Sequence, residues 1–452
     1  MRRFRAPIVP AVALAAAIWL PTRAAADESR AFAPPPRDEP SPASRRAVAE
    51  RRADAPTGVV TLGTARAAAL RANPRLTALV ERANADRALE LQAGLLPNPE
   101  VGVEVENLGG SGDRQAFEET ETTVWVSQLV PIGGKRSERM RVAALESELS
   151  EREVEASRRD VLATVTKAFF ETLAAQERVE LNHDLERLAD ESVLAVRAQV
   201  RAGAASSVEE TRARLGATTA DIEGASAERA LVASRHALAA AWGSTTPAFR
   251  AVEGDLDSLT PPPPLAELLS ELDATPQLAR FSSEIEQRRA SIALEEARRI
   301  PDPTVRLGGR HFQDNGDNAL VFEVSVPLPV FDRNQGNVLA AGHDLVRTQA
   351  ERAAAATEAA AEVAREHQEL ATAYDRAIAL RDRALPEARA TFEGVRRGQA
   401  SGVFRQLDVL EAQRTLFELR SRELDALLEY QLARAEIEAR TGKFGPETEV
   451  RP

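Results

Sequence analysis

Cysteine is absent from the 452 residues, aromatic side chains make up 4% and methionine occurs twice. Without cysteine there is no disulfide framework and no thioether-linked lipid anchor, so stability has to come from packing and assembly. So few rings exclude a large globular core; charged residues at 28%, with Ala, Leu, Glu and Arg at helical spacing, describe long packed helices instead. Proline is missing between Pro131 and Pro247, and between Gly134 and Gly203 glycine is missing as well. Long apolar runs are missing too: past the N-terminus no stretch approaches the roughly 18 apolar residues of a membrane-spanning helix.

Residues 1–26 have the pattern of an export signal, with Arg2, Arg3 and Arg5, an apolar stretch from Ile8 to Leu20 and a cleavage site at Ala24-Ala25-Ala26. Loss of its four arginines takes the formal charge from −12 to −16, which disfavours nucleic acid and anionic membrane surfaces as partners. An acidic lumen for cations fits this balance, as does an ordinary solvated surface. Residues 27–57 are rich in Pro, Ala, Arg and Ser and are expected to form a disordered lead-in.

The rest of the chain says one thing twice. Gly203, Glu209, Ala213 and Gly243 each precede Gly402, Asp408, Ala412 and Gly442 by 199 positions, and Pro131 precedes Pro329 by 198. Asn73-Pro74-Arg75-Leu76 parallels Thr275-Pro276-Gln277-Leu278, and Pro97-Asn98-Pro99 parallels Pro301-Asp302-Pro303 at an offset of 204. Such register marks an internal duplication, with repeats expected at 58–255 and 256–452 and the prolines 261–264 stiffening the link.

Each repeat holds helices, a hairpin and long helices. Helical spacing runs from Thr61 to Asn73 and from Arg75 to Leu95, broken at Pro74. Alternation then takes over, with Val101, Val103 and Val105, then Val124 and Val126, and again Val305 and Leu307, then Leu320, Phe322, Val324 and Val326. The hairpins are expected at about 100–130 and 303–329, in strands of nine to eleven residues, a length that crosses a bilayer when tilted. Long helices are expected at 135–242 and 335–441. An uninterrupted helix from Gly134 to Gly203 would be about 100 Å long. In the second repeat Pro386 is the expected kink, with Gly342, Gly394 and Gly398 as weak points.

Four membrane-length strands in one chain leave open edges, and an unpaired backbone group in lipid costs several kcal/mol. Copies must therefore join to close a barrel; the strand count alone allows a dimer, trimer or tetramer. The alternative is a soluble coiled-coil protein with short β-arms.

The runs NPRL at Asn73, AGLLPNPEVGVEVENLGG from Ala93, VSQLVPIGGKR from Val126, VPLPVFDRNQGN from Val326 and GVFRQLDVLEAQRTL from Gly402 resemble the TolC-like outer membrane efflux protein family, and within it the heavy-metal branch of CzcC and CusC type. The resemblance covers roughly residues 60–442. It implies an α+β membrane protein whose duplicated strand-strand-helix-helix halves form a homotrimeric 12-stranded β-barrel, continued by an α-helical periplasmic barrel. It further implies a passive conduit in the outer membrane, partnered by a periplasmic adaptor (membrane fusion) protein and an inner membrane pump of the resistance-nodulation-division class. Adaptor docking and entrance closure then fall to Arg201, Gly203 and Ser206 in the first helix turn and to Gly402, Val403 and Phe404 in the second. The missing cysteine departs from the lipid-anchored relatives and leaves retention to the barrel.

Glu209 and Asp408 sit six residues past the turn glycines. They are candidate lumen carboxylates, forming rings that attract cations, or else helix-start carboxylates favoured by the macrodipole. Pro131, Gly133, Gly134, Pro329 and Asp332 are the expected strand-to-helix exits. Gly133-Gly134-Lys135 lacks the first glycine and the Ser/Thr of a phosphate loop. Trp125 and Phe322 are expected to face outward. The histidines, His183, His236, His311, His343 and His367, have no ligand spacing, so no metal site or cofactor is expected; His311 reads as a loop or interfacial residue. No nucleophile, base and orienter combine, so no enzyme is expected. A duct for drugs or secreted protein remains the alternative within the same architecture.

Overall fold

The computed structural model describes residues 56–109 and 119–441; the export segment, all but the end of the lead-in, the tip of the first hairpin and Gly442 lie outside them. The first half runs β1 (Gly58–Thr61), α1 (Leu62–Ala72), α2 (Pro74–Ala93), β2 (Glu100–Glu106), β3 (Glu121–Leu129), α3 (Lys135–Arg201) and α4 (Ser207–Ala240). The second runs β4 (Phe249–Glu253), α5 (Leu265–Ser270), a 3₁₀ turn (Leu272–Ala274), α6 (Pro276–Ala297), β5 (Thr304–Phe312), β6 (Asn318–Ser325), α7 (Gln335–Ala379), a π-turn (Leu380–Ala384), α8 (Leu385–Ala400) and α9 (Gln406–Thr441).

Local chemistry sets the boundaries. Thr61 and Thr64 close α1 reciprocally: the Thr61 N–H donates to Thr64 Oγ1 at 2.9 Å and the Thr64 N–H to Thr61 Oγ1 at 3.4 Å. Asn73 ends α1 and starts α2, where Pro74 occupies the first helical position and gives up no needed donor. The Asn73 Oδ1 accepts from the Arg75 N–H at 2.8 Å while its Nδ2 donates to Ala241 O at 2.8 Å, tying the end of α4 to this break.

The 67 residues of α3 form one helix. Its buried positions Ala143, Ser147, Ser150, Val154, Ser157 and Val161 alternate in steps of four and three, a 3.5-residue period with small side chains, so neighbouring helices approach closely along a coiled-coil seam. In α4 the buried Ala213, Ala220 and Ala227 repeat every seven residues.

The second half differs from expectation at Pro386. The break is spread over the π-turn 380–384 and Pro386 stands in the first turn of α8. The extra residue moves aside the carbonyl that the proline ring would otherwise strike. Gly342, Gly394 and Gly398 stay inside helices: glycine keeps its N–H, so it weakens a helix by about 1 kcal/mol without interrupting the ladder.

Two large apolar clusters, and a small one of Leu385, Ala388 and Leu416, hold the described helices. One gathers Val60, Val165, Phe169, Leu238, Trp242, Phe249 and Leu427 around a parallel β1–β4 pair, which the sequence reading missed because strands of four and five residues carry too little alternation. The other gathers Leu278, Phe281, Val363, Leu370 and Tyr430. The Tyr430 hydroxyl donates to Thr260 O at 2.8 Å and lies 2.9 Å from the Thr260 N–H, fastening the link between halves beside the prolines.

Candidate functional site: strand faces, exits and helix turns

The strands form one antiparallel sheet in the order β2-β3-β5-β6. They contain seven, nine, nine and eight residues, shorter than expected at β2 and β6. Pro97 and Pro99 offer no N–H before β2, and beyond it Asn107 turns to φ 56°.

Alternation divides this sheet by chemistry. One face carries Val101, Val103, Val105, Val124, Val126, Leu307, Leu320, Phe322 and Val324, all exposed, from 40% at Val105 and Val126 to 79% at Leu320. The other carries Glu100, Glu104, Glu106, Glu121 and Glu323 with Arg306 and Arg310. There Arg310 reaches Glu106 at 2.9 Å and Glu121 at 2.7 Å, and Arg306 reaches Glu323 at 3.2 Å and Glu104 at 3.7 Å. Five glutamates against two arginines leave this face acidic.

Phe322 lies on the apolar face, as expected, but Trp125 does not. Its ring lies under the Arg306 guanidinium, 4.2 Å from the centroid, on the charged face. Gly102 makes room, since a Cβ there would fall inside the indole, and a Cβ on Gly308 would come within 2.9 Å of the Trp125 Cβ. Two glycines on flanking strands let the ring lie flat beside a cation, which compensates for facing the polar side. His311 lies on the apolar face at the loop end of β5, with Nδ1 3.1 Å from Asn318 Oδ1.

The exits follow one plan with different residues. Past Pro131, Gly133 (φ 70°) and Gly134 (φ 77°) swing the chain into α3. Past Pro329, Asp332 Oδ1 accepts the Asn334 N–H at 2.9 Å, and Asn334, at φ 57°, takes the left-handed place before α7. Asn334 was not singled out from sequence, although asparagine is the residue that most readily replaces glycine there. Its Nδ2 also donates to Glu295 O at 2.7 Å. Asp302, marked from sequence only as part of the repeat, accepts the Ile132 N–H at 2.9 Å and pairs with Lys135 at 2.6 Å.

The helix turns at 202–206 and 401–405 are built alike. The Ala204 N–H donates to Gln199 O at 2.8 Å and the Gly203 N–H to Val200 O at 3.1 Å; the Val403 N–H donates to Gly398 O at 2.8 Å and the Gly402 N–H to Gln399 O at 3.0 Å. This is the Schellman pair, with glycine in the left-handed position at φ 73° and 76°. Arg201, Gly203, Ser206, Gly402, Val403 and Phe404 are all exposed. Phe404 packs against Gly398.

Glu209 and Asp408 act at the helix starts. Glu209 Oε2 accepts the Ser206 N–H at 2.9 Å while Ser206 Oγ accepts the Glu209 N–H at 3.3 Å, a complete capping box. Asp408 Oδ2 accepts the Arg405 N–H at 2.8 Å, and Arg405, standing where the first half has Ser206, has no side-chain acceptor to return, so the Asp408 N–H donates to Arg405 O at 3.1 Å. Among the described residues no group of three or more His, Asp or Glu could hold a metal ion, and no helix is long and apolar enough to cross a membrane.

The profile of the outer membrane efflux protein family matches residues 63–244 and 269–443. The cobalt-zinc-cadmium resistance protein CzcC of Cupriavidus metallidurans is 35% identical over 372 residues, 82% of this chain and 87% of its own. The nickel-cobalt-cadmium resistance protein NccC of Alcaligenes xylosoxydans xylosoxydans is 26% identical over 60% of each chain. Among solved structures, CusC superposes with a TM-score of 0.73 at 20% identity, covering 86% of this chain and 94% of its own. VceC of Vibrio cholerae gives 0.67 at 17%, covering 84% and 96%. With a doubled strand-strand-helix-helix fold and both repeats matched, the chain belongs to the outer membrane efflux protein family, whose members are channels and not enzymes.

Proposed function

We propose that this chain is the outer membrane channel of a tripartite export system for heavy-metal cations, of the cobalt, zinc, cadmium and nickel or the copper and silver kind. The observation that carries this reading is a sheet with one continuous apolar face and one acidic, ion-paired face. The first is what hydrocarbon requires and the second is what an aqueous cation path requires. Likeness to metal-resistance proteins supports the choice of cargo.

Three copies close twelve strands, and their helices continue inward through the periplasm. Residues 1–26 are removed on export, and the two repeats, 58–255 and 256–452, alternate around the ring. Exposed Val403 and Phe404, with Arg201, Gly203, Ser206 and Gly402, form the ends onto which a periplasmic adaptor docks, linking the channel to an inner membrane pump of the resistance-nodulation-division class.

Deleting the gene and scoring growth against separate metal and antibiotic panels tests the cargo. Metal sensitivity is expected; sensitivity to antibiotics alone would transfer the protein to drug export. A soluble periplasmic adaptor would extract without detergent and give no heat-modifiable trimer band on an unboiled gel. Glu209→Gln with Asp408→Asn keeps a cap acceptor and removes the charge: lost cation preference in single-channel recordings supports carboxylate rings at the entrance, and unchanged preference leaves these residues as caps alone.

A further inference from the structure

Within the strands alone, the apolar face is too short for hydrocarbon. From Leu320 to Val324 in β6, and from Val101 to Val105 in β2, it covers about 13 Å, against an apolar band of about 25 Å on a membrane barrel. It cannot lengthen at the loop end, where Thr122, His311 and Asn318 stand opposite one another. At the other end the alternation continues past the ladder through Val326 and Leu328, which brings the β6 row to about 26 Å along the chain. All four strands meet this end, and prolines 97, 99, 131, 301, 303, 327 and 329 gather there. A residue without an N–H leaves one donor fewer to satisfy where a ladder stops at a membrane surface.

At this rim exposed apolar side chains stand among guanidinium groups. Leu96 is 58% exposed, Leu328 81% and Phe331 90%, with Leu95, Ile132 and Ile300 also open. Beside them in the chain or across the junction are Arg136, Arg139, Arg299 and Arg333, and among the described residues none of these four pairs with a carboxylate. Arg136 Nε donates to Gly94 O at 2.6 Å, Arg139 Nη2 to Leu95 O at 3.4 Å and Arg333 Nε to Pro329 O at 3.2 Å, so rim carbonyls steer three of them. Nearby carboxylates are engaged elsewhere: Asp302 by Lys135, Glu295 by Arg298 and Asp332 by the Asn334 N–H. The duplication explains Arg333. It stands 198 positions past Lys135, but the place of Asp302, 204 positions earlier, is held by Asn98, so the matching carboxylate is missing.

We infer that this rim binds anionic phospholipid of the periplasmic leaflet, with acyl chains against Leu96, Leu328 and Phe331 and phosphates on Arg136, Arg139, Arg299 and Arg333. A guanidinium fork matches phosphate oxygens, and its aliphatic stem lies along apolar surface while the charge stays at the headgroups. Basic pockets beside an apolar span take anionic headgroups for the same reason. The acidic balance of the whole chain disfavours anionic surfaces, and the rim is a local exception to it. The inference rests on the outer membrane reading above and adds to it a lipid class and the residues that select it.

The assembled channel, purified in detergent and stripped of lipid, should retain several-fold more phosphatidylglycerol than phosphatidylcholine by native mass spectrometry. Arg299→Gln with Arg333→Gln should abolish that preference. Arg201→Gln with Arg405→Gln, an equal charge change at the helix turns, should leave it intact. A heat-modifiable band and an unchanged melting temperature without lipid establish that each variant has assembled. Preference undiminished in the first pair, or lost equally in the second, overturns the site. Thermal protection by inorganic phosphate equal to that by phosphatidylglycerol would assign the arginines to a free anion and overturn the lipid. Phe331→Trp in a chain carrying Trp125→Phe and Trp242→Phe should be quenched by phospholipids brominated on their acyl chains, and an unquenched ring in the assembled channel overturns the apolar half of the site. Extraction of the wild-type chain from envelopes without detergent overturns the outer membrane reading itself.

Discussion

Lys135 and Asp302 meet at 2.6 Å across the boundary between the two repeats, with side chains only 12% and 21% exposed. Asp302 stands between Pro301 and Pro303 just before β5, and Lys135 is the first residue of α3, so one ion pair joins a strand's beginning to a long helix's beginning. Burial disfavours the Asp302 anion, but the Lys135 and Ile132 N–H hydrogen bonds and the charges of Lys135 and Arg139 outweigh it and hold the carboxyl below its ordinary value.

Asp302→Asn should therefore lower stability by about 1–3 kcal/mol at neutral pH, the cost of leaving a half-buried ammonium without its partner. A depressed carboxyl contributes stability above its unfolded value, near pH 3.9, and loses it as pH falls through the lower folded value. The gap between wild type and variant should close in acid. Trimer dissociation temperatures measured from pH 7 down to pH 3 check this, and a gap independent of pH would contradict it.

Gly102→Ala places a methyl group where the Trp125 indole lies. The ring must leave the Arg306 guanidinium, losing a cation–π contact of about 0.5–2 kcal/mol. In a Trp242→Phe background of the processed protein, Trp125 is the remaining tryptophan, so its emission reports the displacement. A shifted emission maximum is expected for Gly102→Ala, and none for Gly309→Ala, where the added methyl meets open space.

Gly203 and Gly216 lie thirteen residues apart and should respond oppositely to alanine. At Gly203, with φ 73° and nothing within 4 Å, the added methyl clashes with no neighbour but forces a left-handed conformation costing about 1–2 kcal/mol. Gly216 lies inside α4, also in open space, where alanine gains roughly 0.5–1 kcal/mol. Thermal unfolding of both single variants in detergent should move in opposite directions.

Glu366 is 2% exposed, and burial raises its carboxyl above the usual range despite the Arg440 guanidinium, whose Nε lies 2.7 Å away; Glu436 and Glu362 push the same way as burial. A raised carboxyl stabilises the fold in acid, and that contribution is lost as pH rises through the folded value. Glu366→Gln removes the titration and keeps an acceptor for Arg440. Its melting temperature relative to wild type should be higher at pH 8 than at pH 4; a difference that is constant or reversed would reject this account.

Much of the fold could be read directly from the chain because its signals are local. The span of α3 follows from 67 residues without proline or glycine, and the turns at Gly203 and Gly402 follow from glycine at helix ends. Pro386 was legible as a disturbance but not as a π-turn, since absorbing a lost hydrogen bond depends on how neighbouring helices hold the strained segment. Asn334 and Asp302 stood in the motifs without a role, because their roles arise from contacts with Glu295, Ile132 and Lys135, none of which is implied by spacing.

Sequence by itself determined the duplication, the extent of the unbroken long helix α3, and the alternation along the four hairpin strands, because backbone propensity and side-chain period are properties of consecutive residues. Tertiary structure decided that β3 pairs with β5, that Trp125 lies beneath Arg306 on the charged face, and that Glu209 and Asp408 bind the first N–H groups at their helix starts. Those outcomes turn on cross-strand register and on competition among partners for one carboxylate or one ring, and such competition is resolved only when distant segments are brought to within a few ångströms of each other.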